Sequence, residues 1–288
     1  VVILFLFAGC GVGGSEVPSF DGDIEGAGAD GSRAEDEYLD RSAQDSIFAL
    51  VRQADASTIF AAFDALRDAA YSRTVVTEQF DRLGQRIAMR SRTEDVSDGR
   101  IVVRVADSSG TFDYGYLQRL RFESGGASRP WELPMQIIPD DPVYAEPRTR
   151  ENYVYRKRVG SLPGFDTVDV IDIRAHPEHG ERDPLRRAQL YLEQGSTRQI
   201  AQYLERREAA LWFREATRVF VSIQPDASGN WIPARVEVET WIRMPFRPLQ
   251  RFRTETKYSD VRLSGTGMRT TTVSSDQIDE AFVAREAR

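Results

Sequence analysis

The chain has 288 residues, with 38 basic and 45 acidic side chains, two histidines (His176 and His179) and one cysteine, Cys10. A single cysteine excludes an internal disulfide and any cysteine-rich zinc or iron–sulfur centre, and the formal charge of −7 argues against nucleic acid as a partner. At 41% hydrophobic and 29% charged, the composition is that of a globular protein.

Residues 1–9 read VVILFLFAG, an unbroken apolar run with Cys10 directly after it. As a helix this run would span about 14 Å, half of a ~30 Å hydrocarbon core, too short to cross a membrane but suited to an export signal. The basic part of such a signal is expected upstream of Val1. Phe7-Ala8-Gly9-Cys10 resembles the lipobox of the bacterial lipoprotein signal, with Phe7 where that signal usually carries Leu. The resemblance implies that Cys10 is lipidated and becomes the first residue of the mature protein, whose acyl chains anchor it to a membrane. The other reading of Cys10 is a buried thiol in an apolar segment.

Residues 10–41 form the next unit. From 11 to 40 they are rich in Gly, Ser and acidic side chains, with nine acids against one base, Arg33, and no helical or strand period. This reads as a flexible acidic tether. Its net charge of −8 accounts for the acidity of the whole chain, because the remainder carries 37 basic and 36 acidic residues.

Residues 42–265 read as the folded domain. From Ser42 to Tyr71 apolar residues recur at three- and four-residue steps (Ile47, Leu50, Val51, Ile59, Phe60, Phe63, Leu66). This predicts one or two amphipathic helices, broken near Ala54–Ser57 with Asp55 or Ser57 as cap. Beyond Ser72 the period falls to two, and about ten strands are expected over 73–93, 99–107, 111–122, 151–159, 166–175, 186–194, 199–206, 209–224, 231–243 and 249–263. Turn signals separate several of them, among them Gln194-Gly195-Ser196 and Asp226–Asn230. The fold class is therefore α+β: a large curled antiparallel β-meander, an incomplete barrel, packed on one or two N-terminal helices. Residues 266–288 read as a tail or short helix.

A helix followed by a long meander, downstream of a lipobox, resembles the lipoprotein-carrier superfamily of LolA, LolB and the sensor RseB. The residues that carry the resemblance are FDALRDAAYSRTVVTEQF at 63–80, RRAQLYLEQGSTRQIAQYLER at 186–206, NWIPARVEVETW at 230–241 and RFRTETKYSDV at 251–261. It covers about 45–263 as a pattern, and no contact residue of that family maps onto this chain one for one. The resemblance implies an incomplete barrel plugged by helices, with an apolar cavity that accepts acyl chains.

Two segments depart from the meander. Residues 123–150 carry Pro130, Pro134, Pro139, Pro142 and Pro147 and cannot be a central strand. They read either as a lid, with Trp131, Met135, Ile137 and Ile138 over an opening, or as a surface connection pinned by those side chains. Between Trp241 and Lys257, Arg243, Met244, Phe246 and Arg247 sit at a Pro-marked bend. This hairpin tip could enter a bilayer interface or grip a headgroup. Alternatively, Arg251 and Arg253 pair with Glu237 and Glu239 across strands while Phe246 caps the core.

Little else suggests chemistry. His176-Pro177-Glu178-His179 is a weak metal candidate, since helical pairs use i,i+4 spacing and a third organised ligand is missing. There is no phosphate loop after a strand and no GxSxG elbow. No cofactor is expected and no catalytic residue is assigned. The leading expectation is a non-catalytic lipoprotein of the cell envelope, anchored through Cys10, that binds acyl chains or other lipoproteins. Gly11, standing where Asp signals inner-membrane retention in some bacteria, points to the outer membrane facing the periplasm. An interaction or sensor protein that carries no lipid stays open, as does a metal enzyme centred on the two histidines.

Overall fold

Apolar side chains three and four apart line one side of the first stretch, and it folds as two helices, α1 (Arg41–Gln53) and α2 (Ser57–Asp64). The computed structural model describes residues 41–97, 100–113, 138, 142–178, 180, 183–209, 214–243, 246 and 248–263. Asp55 makes the break between the helices: its carboxylate accepts the Ser57 backbone N–H and hydroxyl, both at 2.8 Å. The Asp55 backbone meanwhile bonds to Thr197 and Gln199, so the helix pair is fastened to the sheet at its elbow.

Ten strands follow: β1 (Ala70–Phe80), β2 (Arg86–Ser97), β3 (Arg100–Gly110), β4 (Tyr153–Leu162), β5 (Phe165–Ala175), β6 (Leu185–Glu193), β7 (Gln199–Ala209), β8 (Arg214–Pro225), β9 (Trp231–Arg243) and β10 (Gln250–Arg262). All neighbours are antiparallel, in the order β3-β2-β1-β10-β9-β8-β7-β6-β5-β4, one open sheet that is not closed into a barrel. Among the described residues, β3 and β4 are its edges, and no helix is long and apolar enough to cross a membrane.

Antiparallel partners share a face, so the register sorts side chains to the two sides of the sheet. One face carries Ile173, Leu190, Leu204, Val219, Val221, Val236, Val238 and Thr256; the other carries Asp172, Arg187, Glu205, Arg218, Glu237 and Arg253. The helices lie on the first, which is the inner face. Ile47, Phe48 and Val51 of α1 pack on Tyr155, Ile171, Ile173 and Leu190, and Ile59 and Phe63 of α2, with Leu66 of the turn after it, pack on Ile200, Val221, Val236 and Tyr258. Filling the curl with a helix stripe is how so large a sheet hides an apolar face without closing. The outer face is held by ion pairs, Arg253–Glu237 at 2.7 Å, Arg235–Glu255 at 2.8 Å and Arg251–Glu239 among them.

The strand expectations need two corrections. The predicted strand 73–93 is two strands joined by a turn at 81–85, where Asp81 accepts the N–H groups of Leu83 and Gln85 and Gly84 takes φ +77°. Phe80, Leu83 and Ile87 among charged and polar residues leave no clear break in the sequence here, which hides the turn. The strand expected at 111–122 does not start there: β3 ends at Gly110 and residues 111–113 are irregular, while 114–122 lie outside the described residues. Gly110 has φ +70°, and a Cβ on it would stand 2.0 Å from the Ile87 carbonyl oxygen, so only glycine ends this strand.

Candidate functional site

α2 rests chiefly on β7, β8 and β9, and touches β10 through Phe63 and Tyr258, whose ring centroids are 5.8 Å apart. Beyond it the inner face continues as a strip of half-buried Val219, Val238, Val75, Phe252, Thr254 and Thr256, placed together by register. From Val236 to Ile242 on β9 the strip runs about 20 Å at ~3.4 Å per residue, on the scale of an extended long acyl chain. Its far end is polar. Gln79 makes two amide bonds with the Asp113 backbone (3.1 and 2.8 Å), and Gln250 Nε2 donates to the same carbonyl at 3.1 Å. Glu215 lies opposite Ile242 there, and burial raises its carboxyl pKa against the opposing bond from the Thr217 hydroxyl at 2.9 Å.

The strip reaches the end of the sheet formed by the last residues of β1, β5, β7 and β9 and the first of β2, β6, β8 and β10. Phe80 is paired with Arg86 and Arg251, Gln250 with Ile242, Arg214 with Ala209 and Arg243, and Tyr153 with Ala175. At this end three large apolar side chains stand in water: Phe246 (107% exposed), Leu83 (72%) and Ile87 (44%). Phe246 also holds φ +61°, a left-handed backbone conformation that costs a bulky residue of order 1–3 kcal/mol. Arg41, the first described residue, pairs with Glu151 at 3.8 Å just before β4, so the N-terminal segment joins the body at this end too. The half-buried inner strip thus ends at buried Gln79 and Gln250, bonded to the Asp113 backbone, on the same end of the sheet as this exposed apolar rim and, across the sheet at β4, the Arg41–Glu151 pair.

Of the residues singled out from sequence, Arg243 and Phe246 stand exposed at the rim, and Met244 and Arg247 lie outside the described residues. The expected pairs Arg251–Glu239 and Arg253–Glu237 are present, but Phe246 does not cap the core: the β9–β10 bend turns its ring outward. Ile138 is buried in the α2 core cluster, while Trp131, Met135 and Ile137 lie outside the described residues. So does Cys10. His176 Nδ1 accepts the Glu178 N–H at 3.1 Å in a tight loop, His179 lies outside, and among the described residues no three ligand-type side chains group as a metal site. The sequence reading missed Leu83 and Ile87, because the β1–β2 turn was read as strand; the Asp81–Gly84 spacing was the available signal.

No family model matches the chain, and no curated protein sequence matches it. Among solved structures it is similar to an outer membrane lipoprotein-sorting protein domain from Vibrio parahaemolyticus, at 10% identity and a TM-score of 0.27, over 83% of this chain and 99% of that one. It is similar to a DUF1329 family protein from Desulfovibrio piger, at 12% identity and a TM-score of 0.25, over 75% and 97%. A third similarity, to lipovitellin, has 8% identity and a TM-score of 0.28, and spans 68% of this chain and 25% of that one. Likeness at this level carries no function with it.

Proposed function

We propose that this is a non-catalytic lipoprotein of the cell envelope, anchored through Cys10, whose curled sheet takes up acyl chains of lipids or of other lipoproteins on its inner face. The observation that carries the reading is the half-buried strip beyond the main seat of α2, together with the exposed apolar rim of Leu83, Ile87 and Phe246 at the same end of the sheet. An apolar trough excludes water from a chain laid along it, and an apolar rim lowers the cost of passing that chain to or from a bilayer. Lipidation at Cys10 would hold the rim near the membrane, since the tether joins at the same end; the outer membrane, facing the periplasm, is the proposed site. Arg243 beside Phe246 would meet the headgroups.

The experiment is lipid extraction and mass spectrometry of the full chain purified from bacterial envelopes. An acyl lipid in stoichiometric amount is expected. A folded protein without lipid would overturn the carrier reading in favour of a second one, recognition of a protein partner. That second reading has an observation of its own: β3 is an edge strand with Ile101, Val102, Val103 and Val105 all exposed.

A further inference from the structure

The outer face of the same sheet end carries a polar cleft of ≈ 380 Å³, lined by Arg174, His176, Arg186, Arg187, Glu205 and Arg207 with Ala175 and Pro177. Its walls are the end of β5, the start of β6 and the end of β7. Arg174 and Arg187 are direct cross-strand partners, an arrangement that repels unless an anion lies between them. Asp172, buried beneath, does part of this. It accepts Arg174 Nε at 2.8 Å, Arg187 Nε at 2.7 Å and Gln189 Nε2 at 3.2 Å. Glu205 holds Arg207 through Nε and Nη2 at 3.2 and 2.9 Å, and Tyr203 donates to it at 3.4 Å. Arg186 Nη1 donates to the Gly180 carbonyl at 3.2 Å.

The loop that closes the cleft is tightly made. His176 N–H bonds to the Asn152 carbonyl (2.7 Å), Gly180 N–H bonds to the His176 carbonyl (2.8 Å), and a Cβ on Gly180 would stand 2.4 Å from Asn152 O. Arg207 N–H bonds to Pro184 O at 2.7 Å, which ties β7 to the same loop. Four guanidiniums and one carboxylate therefore line a preformed recess. With the two carboxylates behind it, Asp172 and Asp183, the group still carries net positive charge.

Two of the arginines meet Asp172 only through Nε, so their planar forks are oriented by a buried anion while their outer edges are not used in that pair. This is how a protein prepares guanidiniums to receive an oxyanion in two-point contact. We infer that this cleft binds a phosphate group. The phosphate could belong to a small phosphorylated ligand or to the headgroup of an anionic phospholipid. The headgroup is reachable because the cleft, the tether attachment at Arg41 and the apolar rim share one end of the sheet. The inference does not depend on acyl-chain carriage: the cleft lies on the opposite face from the strip.

The test uses the purified full chain, inorganic phosphate as probe, and a calorimetric titration beside thermal melting. Phosphate is expected to bind and to raise the melting temperature. Arg186→Gln with Arg207→Gln should weaken binding at least about tenfold, since each replaced group supplies a charge-assisted bond. Arg67→Gln with Arg104→Gln, two exposed positions elsewhere, should leave it unchanged. Should the cleft pair of substitutions melt early in phosphate-free buffer, Arg174→Lys alone keeps the charge, loses the two-point fork and should weaken binding by a smaller factor. Absence of phosphate binding, or equal loss in both sets of variants, would overturn the assignment.

Flotation with phosphatidylcholine vesicles, with and without phosphatidylglycerol, separates the sources. Binding that needs phosphatidylglycerol, is lost in the cleft variant and is competed by phosphate marks a headgroup site. Phosphate binding without vesicle binding marks a small-ligand site. Lipid-free protein that still binds phosphate would sink acyl carriage alone, and lipid-loaded protein blind to phosphate would sink this site alone.

Discussion

Asp172 concentrates the electrostatics of the outer face in one side chain. Burial pushes its carboxyl upward, but Arg187 and then Arg174 outweigh that and hold it below its ordinary value of 3.8. A carboxyl depressed in the folded state contributes stability that is present above the unfolded pKa and lost as pH falls through the folded one. Asp172→Asn should therefore cost about 2–3 kcal/mol near pH 7, by leaving two guanidiniums facing each other. Its penalty should begin to shrink as pH falls below the ordinary value of 3.8 and go on shrinking toward the lower folded-state value, as the wild-type carboxyl takes up its proton. Urea unfolding at pH 7 and pH 3 checks both; a penalty independent of pH would mean that packing, not charge, is what Asp172 supplies. The arginines that face it were visible in the sequence only as alternating charges. Nothing in Arg174 and Arg187 taken singly says that they meet, because they stand 13 positions apart with a loop between them.

The element where residue type and placement pull apart most is the β9–β10 bend. Met-Pro-Phe between arginines admits two outcomes, and the chain realises one part of each: the arginines of β10 pair with β9 glutamates, and Phe246 turns outward. A ring that is fully exposed contributes nothing to the core, so Phe246→Ser should change stability by no more than about 0.5 kcal/mol. If the rim meets a bilayer, the same change removes an aromatic group whose burial is worth about 1.5–3 kcal/mol, and vesicle binding should fall about tenfold or more. Flotation and thermal melting measure the two halves, and unchanged flotation would remove the bend from the membrane contact. The helices were easier to read. Ile47 and Val51, then Ile59 and Phe63, recur at the helical period, and Asp55 marks the break with its own side chain. The β1–β2 turn was harder, because its single glycine sits among charged and polar residues and one leucine that suit a strand as well as a turn.

At the scale of the whole molecule the two sheet edges differ. β4 is guarded: Arg156, Lys157 and Arg158 lie along it, and Gln44 of α1 accepts the Tyr155 backbone N–H at 2.9 Å. β3 is exposed along its whole length and carries four exposed valine and isoleucine side chains. Opening should therefore cost least at β3 and most at β6 and β7, interior strands that are paired on both sides and bury Leu190, Ile200 and Leu204. Hydrogen exchange should find β3 amides fastest among the strands and those of β6 and β7 slowest. Strong protection of β3 in the isolated chain would show that this edge is covered in solution.

The sequence by itself determined what local rules govern: two helices from a period near 3.6, most of the strands from a period of two, and turns at glycine and aspartate. It also confined the net acidity to residues 11–40 and, through a single cysteine, excluded a disulfide within these 288 residues. Only the tertiary structure decided which strands are neighbours, hence which of two alternating faces receives the helices. It alone seated α2 on β7, β8 and β9, brought Leu83 and Phe246 to one end of the sheet, and set four arginines around one recess. Those facts depend on register between residues far apart in the chain, and register is fixed by the summed burial of a whole face, a quantity that no single segment contains.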